Sequence, residues 1–173
     1  MVNLFDIRER VVVITGGTGI LGSVIASYLA SQGASVVILG RRENAGHDLV
    51  QEIKKNGGEA LFLKTDVMDE AVLEQNRETI LTHYGRIDDL LNAAGGNMAG
   101  ANIPPKNTFF DLDMNQFDEV VRLNLTGSVL PSQVFLKPMV EQQKGNIINF
   151  SSMAAFRPMT RVVGYAAISM ETV

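Results

Sequence analysis

Residues 11–22 read Val-Val-Val-Ile-Thr-Gly-Gly-Thr-Gly-Ile-Leu-Gly, an apolar strand running straight into glycines and then into a stretch of helical spacing. Few folds accept that order. Gly16 lets the chain turn tightly off the strand, Gly19 leaves backbone room for phosphate oxygens, and Gly22 lets the helix pack closely on the sheet. The helix N-terminus then turns free N–H groups and its positive dipole end toward an anion. The segment predicts a pyrophosphate cradle built from Gly16, Thr18, Gly19, Ile20, Leu21 and Gly22. An ordinary strand–turn–helix connection is the bland alternative.

Short apolar runs alternate with amphipathic stretches along the chain, the pattern of repeated βαβ units and a parallel sheet. Strands are expected at Val11–Thr15, Ser35–Leu39, Ala60–Lys64, Asp88–Asn92 and Asn146–Phe150. The first helix should bury a stripe of Ile20, Leu21, Val24, Ile25, Tyr28 and Leu29 and stop at Gly33. The second should run from Glu43 to Asn56, and Asp69 should cap a third that closes at Gly85. Gly95 to Asp111 reads as a loop over the sheet edge. Asp113 with Gln116 resembles a capping box opening a long helical stretch, which Pro131 and Pro138 should kink or divide. The expected fold is α/β, a right-handed, doubly wound parallel sheet in one domain, residues 1–173.

Such sheets bind ligands beyond the C-terminal ends of their strands, where the strand order reverses. The glycine loop, Gly40-Arg41-Arg42, Asp66, Asn92 to Gly95 and Ser151-Ser152 all fall at strand ends. That shared placement says more than any one motif. No acid closes the second strand to accept the ribose hydroxyls of NAD. Arg41 and Arg42 stand there and suit the 2′-phosphate of NADP, although Glu43 blunts their charge and a solvated basic turn is the other reading. Asp66, followed by Val67, could bond an adenine amino group or cap the next turn. Asn92-Ala93-Ala94-Gly95 has small side chains that let backbone approach a flat ligand, and Asn92 could equally bond neighbouring backbone.

Ser152 and Tyr165 stand 13 positions apart, one at a strand end and one where a helix should start after Gly164. A tyrosine facing a nicotinamide can protonate a carbonyl as hydride arrives, while a serine hydroxyl orients that carbonyl. The phenol's pKa must then fall from about 10, usually through a nearby cation. Taken alone, Tyr165 also reads as a half-buried aromatic.

Charge and composition exclude several classes. A net charge of −4 offers no basic face for nucleic acid or anionic lipid. The chain has no cysteine, which removes thiolate catalysis and disulfides. His47 and His83 lack partners at metal spacing, so no metal is expected. Met1 to Arg10 shows no apolar signal segment, and no run approaches the roughly 20 apolar residues of a membrane helix. A cytoplasmic location is the expectation.

Together these segments resemble the short-chain dehydrogenase/reductase family over nearly the whole chain. The resemblance is carried by Thr15 to Gly22, Asp66-Val67, Asn92-Ala93-Ala94-Gly95, Asn124 within Leu123-Asn124-Leu125-Thr126-Gly127, and Ser152 with Tyr165. It implies a Rossmann-type domain and an NAD(P)-dependent oxidoreductase with an Asn, Ser, Tyr, Lys tetrad. Asn124 would hold a water relay, Ser152 would orient substrate, and Tyr165 would be the acid/base. NADP(H) is the favoured cofactor and NAD(H) the second candidate. Gly95-Gly96-Asn97 and Ser151 to Pro158 are similar to the D-mannonate oxidoreductase (fructuronate reductase) branch, which implies reduction of a keto sugar acid to a hydroxy acid. Asn97, Arg157 and Arg161 are the substrate-side candidates, since a guanidinium suits a carboxylate; two exposed loop arginines are the alternative. A homo-oligomer is expected.

Two positions depart from the family pattern. Ile20 stands where many members place glycine, with the loop length preserved. Four residues after Tyr165 stands Ser169, where the family lysine would lower the phenol's pKa and bind the nicotinamide ribose. Family members also continue through further strands and a substrate lid. The sheet is therefore expected to be incomplete at its C-terminal edge and open to pairing with another chain. Two functional readings follow: a reductase, or a dinucleotide-binding protein with impaired catalysis.

Overall fold

The computed structural model describes residues 6–157 and 159–171, the side chains of 169–171 excepted. Half of the expected N-terminal stretch, residues 1–5, lies outside the described residues, as do Pro158 and the side chain of Ser169. The elements are β1 (Val11–Thr15), α1 (Ile20–Ser31), β2 (Ser35–Gly40), α2 (Glu43–Lys55), β3 (Glu59–Lys64), α3 (Glu70–Tyr84), β4 (Asp89–Asn92), α4 (Met114–Val121), α5 (Gly127–Glu141), β5 (Asn146–Asn149) and α6 (Val163–Glu171). The strands form one parallel sheet in the order β3-β2-β1-β4-β5. The order reverses between β1 and β4. The candidate functional groups converge on that crevice.

β1 is buried along its whole length, and its side chains alternate between two apolar layers. Val12 and Ile14 join Val36, Ile38, Ala26, Ala30 and Ile53 on one face. Val11 and Val13 join Val37, Leu39, Leu73, Ile80 and Phe135 on the other.

The stripe expected to bury α1 is overturned. Gly22, Ala26 and Ala30 are its buried residues, Ile25 and Leu29 pack half-buried, and Ile20, Leu21, Val24 and Tyr28 are exposed. The reason is space. A Cβ on Gly22 would lie 2.5 Å from the Gly16 carbonyl oxygen, so this face admits only a hydrogen or a methyl, and the larger side chains turn outward.

The prolines do not divide the helical stretch as expected, and both sit buried inside α5. The interruption comes earlier, as a π turn over Arg122–Thr126 that joins α4 to α5. It ends five residues ahead of Pro131, whose missing N–H would otherwise claim the Gly127 carbonyl at the foot of α5. Asp69 caps α3 through the Val72 N–H at 3.1 Å. Asp113 caps α4, but the Gln116 side chain reaches the Asp113 carboxylate and the Gly100 N–H instead of closing a capping box. β5 ends at Asn149, one residue short of expectation, and lies at the sheet edge with Ile148 half exposed.

The opposite end of the sheet is held by charge. Arg10 grips Asp89 with two prongs, Nε to Oδ2 at 2.7 Å and Nη2 to Oδ1 at 2.6 Å, and Asn146 Nδ2 adds a bond of 2.8 Å to the same carboxylate. The hydrogen bonds with Asp89 push the Arg10 pKa further up, so the cation persists. The neighbouring Asp88 carboxylate is buried and accepts the Val11 N–H at 2.9 Å. Arg10→Ala strands a mostly buried carboxylate at the root of β4. We expect a loss of about 3 kcal/mol, read as a fall in Tm of roughly 6–12 °C by thermal circular dichroism. Arg10→Lys, with one prong, should fall between. A loss under about 1 kcal/mol would mean that the pair is solvated like a surface bridge.

Candidate active site

The cradle is assembled from glycines that cannot be replaced without collision. Gly16 has φ +63°, and a Cβ there would meet the Ala93 carbonyl oxygen at 2.7 Å and the Ala94 nitrogen at 2.8 Å. Gly19 N–H donates to the Gly16 carbonyl at 2.8 Å, and Gly17 N–H to the Leu39 carbonyl at 3.0 Å, which close the turn onto β2. Ile20 and Leu21 open α1 with exposed side chains. Thr15, to which strand and motif spacing give no site role of its own, accepts the N–H groups of Ala93 and Ala94, both at 3.1 Å. Its hydroxyl ties the ends of β1 and β4 together. A threonine closing the strand was the only signal of that role.

A cleft of about 310 Å³ opens on this cradle, lined by Gly16, Thr18, Gly19, Arg41, Arg42, Asp66, Val67, Ala93, Ala94 and Gly95 among others. The adenosine-side candidates of the sequence reading thus share one cavity. The two arginines divide: Arg42 Nη2 donates to the Thr18 carbonyl, whereas the Arg41 side chain lines the cleft without a hydrogen bond to the other described residues. Asp66 Oδ1 accepts the Met68 N–H at 3.0 Å, so the carboxylate does cap its own turn while also lining the cleft.

A second cavity, about 180 Å³, adjoins the first across Ala93, Ala94 and Gly95. Asn92, Gly96, Asn124, Ser128, Phe150, Ser151 and Tyr165 help line it. The π turn places Asn124 there. Its Nδ2 donates to the Gly96 carbonyl at 2.8 Å and its Oδ1 accepts the Gly96 N–H at 3.0 Å. The amide therefore pairs with both backbone groups of Gly96, spanning the two peptide units that flank its Cα, and a Cβ on Gly95 would sit 2.6 Å from Asn124 Oδ1. Asn92 Nδ2 bonds Asn149 Oδ1 at 2.9 Å and Ser132 Oγ at 2.8 Å, fastening β4 to β5 and α5. Ser152 is half-buried, and its Oγ accepts the Ala154 N–H at 3.2 Å as the cap of a short 3₁₀ turn. Ser151, which sequence spacing did not single out, lines the cavity beside Tyr165.

The three substrate-side candidates lie outside both cavity linings. Asn97 Nδ2 donates to Asn102 Oδ1 at 2.8 Å within the loop after β4. Arg157 is exposed. Arg161 Nη1 donates to the Pro104 carbonyl at 2.6 Å and to those of Ile103 and Asn107 at 3.3 Å. That loop, expected to be irregular, contains 3₁₀ turns at Ala99–Ala101 and Phe109–Asp111. No group of metal-ligating side chains occurs among the described residues.

A doubly wound parallel sheet with a glycine cradle at its switch point defines the Rossmann-type class of α/β domains. The pattern of the short chain dehydrogenase family matches residues 10–168, and the chain belongs to that family. It is 41% identical over 170 residues to the uncharacterized oxidoreductase UxuB of Bacillus subtilis, covering 94% of this chain and 61% of that one. A Haemophilus influenza structure with bound NAD, proposed to be a D-mannonate oxidoreductase, superposes with a TM-score of 0.92 at 36% identity, over 96% of this chain and 63% of that one. A metagenomic short-chain oxidoreductase in complex with NADP matches with a TM-score of 0.81 at 28% identity, over 95% of this chain and 72% of that one. The chain thus spans somewhat under two thirds of the first two relatives' length.

Proposed function

We propose that this chain binds NADP(H) across the two cavities and belongs to a reductase that converts a keto sugar acid to a hydroxy acid. One observation carries the reading: Ala93, Ala94 and Gly95 floor both the cradle cleft and the cavity that holds Tyr165, so an extended ligand lies in one groove. The glycine loop fits a pyrophosphate, because Cβ atoms at Gly16 and Gly22 would strike backbone where the loop closes. A nicotinamide held there would supply hydride to the carbonyl carbon. Tyr165 gives its phenolic proton to the carbonyl oxygen, leaving an alcohol, and regains a proton from solvent. Asn124 holds Gly95 and Gly96 as the floor on which the ring would rest. Ser152, or Ser151 beside it, offers the hydroxyl that orients the carbonyl. The kinship with a structure proposed to be a D-mannonate oxidoreductase supports the sugar-acid class. Arg157 and Asn97 are the substrate-side candidates of this reading, whereas the Arg161 guanidinium is taken up by the carbonyls of Ile103, Pro104 and Asn107. Location in the cytoplasm and homo-oligomer formation are parts of the same proposal. No described helix is long and apolar enough to cross a membrane, and Val129, Leu136 and Val140 expose apolar surface along α5.

Ser169 favours a second reading, a dinucleotide-binding protein whose turnover is slow because no ammonium stands one helical turn beyond Tyr165. Both readings require binding. Fluorescence titration should show NADPH binding more tightly than NADH. Arg41→Ala should weaken NADPH by about tenfold, the worth of one charge-assisted hydrogen bond, and leave NADH within about twofold. Equal affinities for the two cofactors would end the NADP assignment, and no binding of either would end both readings.

A further inference from the structure

We propose that Arg161 is a positioning residue that locks the first turn of α6, and Tyr165 with it, to the loop between β4 and α4. The inference rests on the reading of Tyr165 as acid/base only for its functional consequence. Three contacts converge at this point. The Arg161 guanidinium gathers the carbonyls of Ile103, Pro104 and Asn107. The Arg161 carbonyl accepts the Ile103 N–H at 2.9 Å. The next residue, Val162, forms an antiparallel bridge with Asn102. Arg161 reaches all of these from φ +67°, a left-handed conformation that a side-chain-bearing residue adopts rarely and at a cost. Surrounding contacts must hold it there.

What the lock secures lies on either side. Downstream, the Ala166 N–H donates to the Val162 carbonyl at 3.2 Å, so the turn of α6 that carries Tyr165 hangs on the bridge residue. Packing agrees: Ala101 is fully buried, and a Cβ on Gly164 would stand 3.3 Å from its methyl. Upstream, the same loop contains Gly96, which the Asn124 amide clasps. The connections close a ring: Asn124 to Gly96, along the loop to Ile103, across Arg161 to Val162, and up α6 to Tyr165. The ring fixes the phenol relative to the cavity floor at Ala94 to Gly96. A guanidinium committed to three carbonyls serves this fastening in place of a substrate carboxylate.

Hydrogen exchange by mass spectrometry on the full 173-residue chain tests the lock. Arg161→Gly removes the guanidinium yet keeps the left-handed turn strain-free, so its fold is preserved. We expect exchange to rise at least tenfold in both 103–108 and 163–168, with 11–40 unchanged, and Arg161→Lys to recover part of the protection. Cofactor affinity should stay within about twofold, while kcat falls with little change in KM. A rise confined to 103–108 would overturn the proposal, because the guanidinium would then cap only its own loop. A uniform rise that includes 11–40 would overturn it as well. The exchange result stands without turnover: an inactive parent chain would defeat the reductase reading and leave the coupling measurable.

Discussion

Gly16→Ala should cost about 3 kcal/mol of stability and at least a hundredfold in cofactor affinity. The position sits at φ +63°, where a side-chain-bearing residue pays roughly 1–2 kcal/mol. The new methyl would also stand 2.7 Å from the Ala93 oxygen and from Ala94 Cα, both backbone atoms just past the end of strand β4. Neither can swing aside as a side chain would, so overpacking adds about 1–3 kcal/mol. The loop must shift away from β4, and the N–H groups that face the phosphates shift with it. Thermal melting should fall by roughly 6–12 °C, and NADPH titration should show binding weakened by about 3 kcal/mol or more. Gly57→Ala supplies the control. It shares the left-handed backbone, at φ +83°, but its Cβ would meet nothing within 4 Å. It should cost only about 1 kcal/mol and leave the cofactor untouched. Equal behaviour of the two variants would show that the crowding at Gly16 is relieved by a small adjustment.

Tyr165→Phe carries the other large effect. The phenyl ring keeps the packing of α6 while the proton donor is lost, and positioned acid–base catalysis is worth about 10²–10⁴ in rate. Turnover of a keto sugar acid with NADPH should fall by about a thousandfold, with cofactor affinity within twofold of the parent. The complementary change is Ser169→Lys. It restores an ammonium at i+4 on α6, on the same helix face as Tyr165, where a positive charge favours the phenolate. We expect turnover to rise on the order of tenfold or more. A Tyr165→Phe variant that keeps a tenth of the parental rate would remove the tyrosine from the chemistry. A silent Ser169→Lys would show that the parent's rate is not limited by that missing charge.

Much of the site was legible because its chemistry is local. The strand, the glycine spacing and the following helix are contiguous, so the cradle could be read without knowing any neighbour. The strand-end motifs were readable for a related reason: a parallel sheet brings all its C-terminal ends to one rim, where Arg41, Asp66 and Ala93 to Gly95 line one cleft and Asn92 the cavity beside it. The misreadings involve contacts between distant segments. The α1 stripe failed because helical spacing marks an apolar face without saying which arc lies against the sheet, and Gly22 decided that by its closeness to Gly16. The prolines misled because the break they suggested was taken up by a π turn upstream, and that turn is what aims Asn124 at Gly96.

The glycine cradle, the five strands and the tyrosine's place on a late helix are set by residue type and short-range spacing, which act within a few residues of chain. The division of labour between Arg41 and Arg42, the clasp of Asn124 on Gly96 and the fastening of Arg161 to the loop arise otherwise. Each joins groups 24 or more positions apart. Hydrogen bonds reach only about 3 Å, so only the folded sheet, by bringing those segments to one rim, could decide which donor meets which carbonyl.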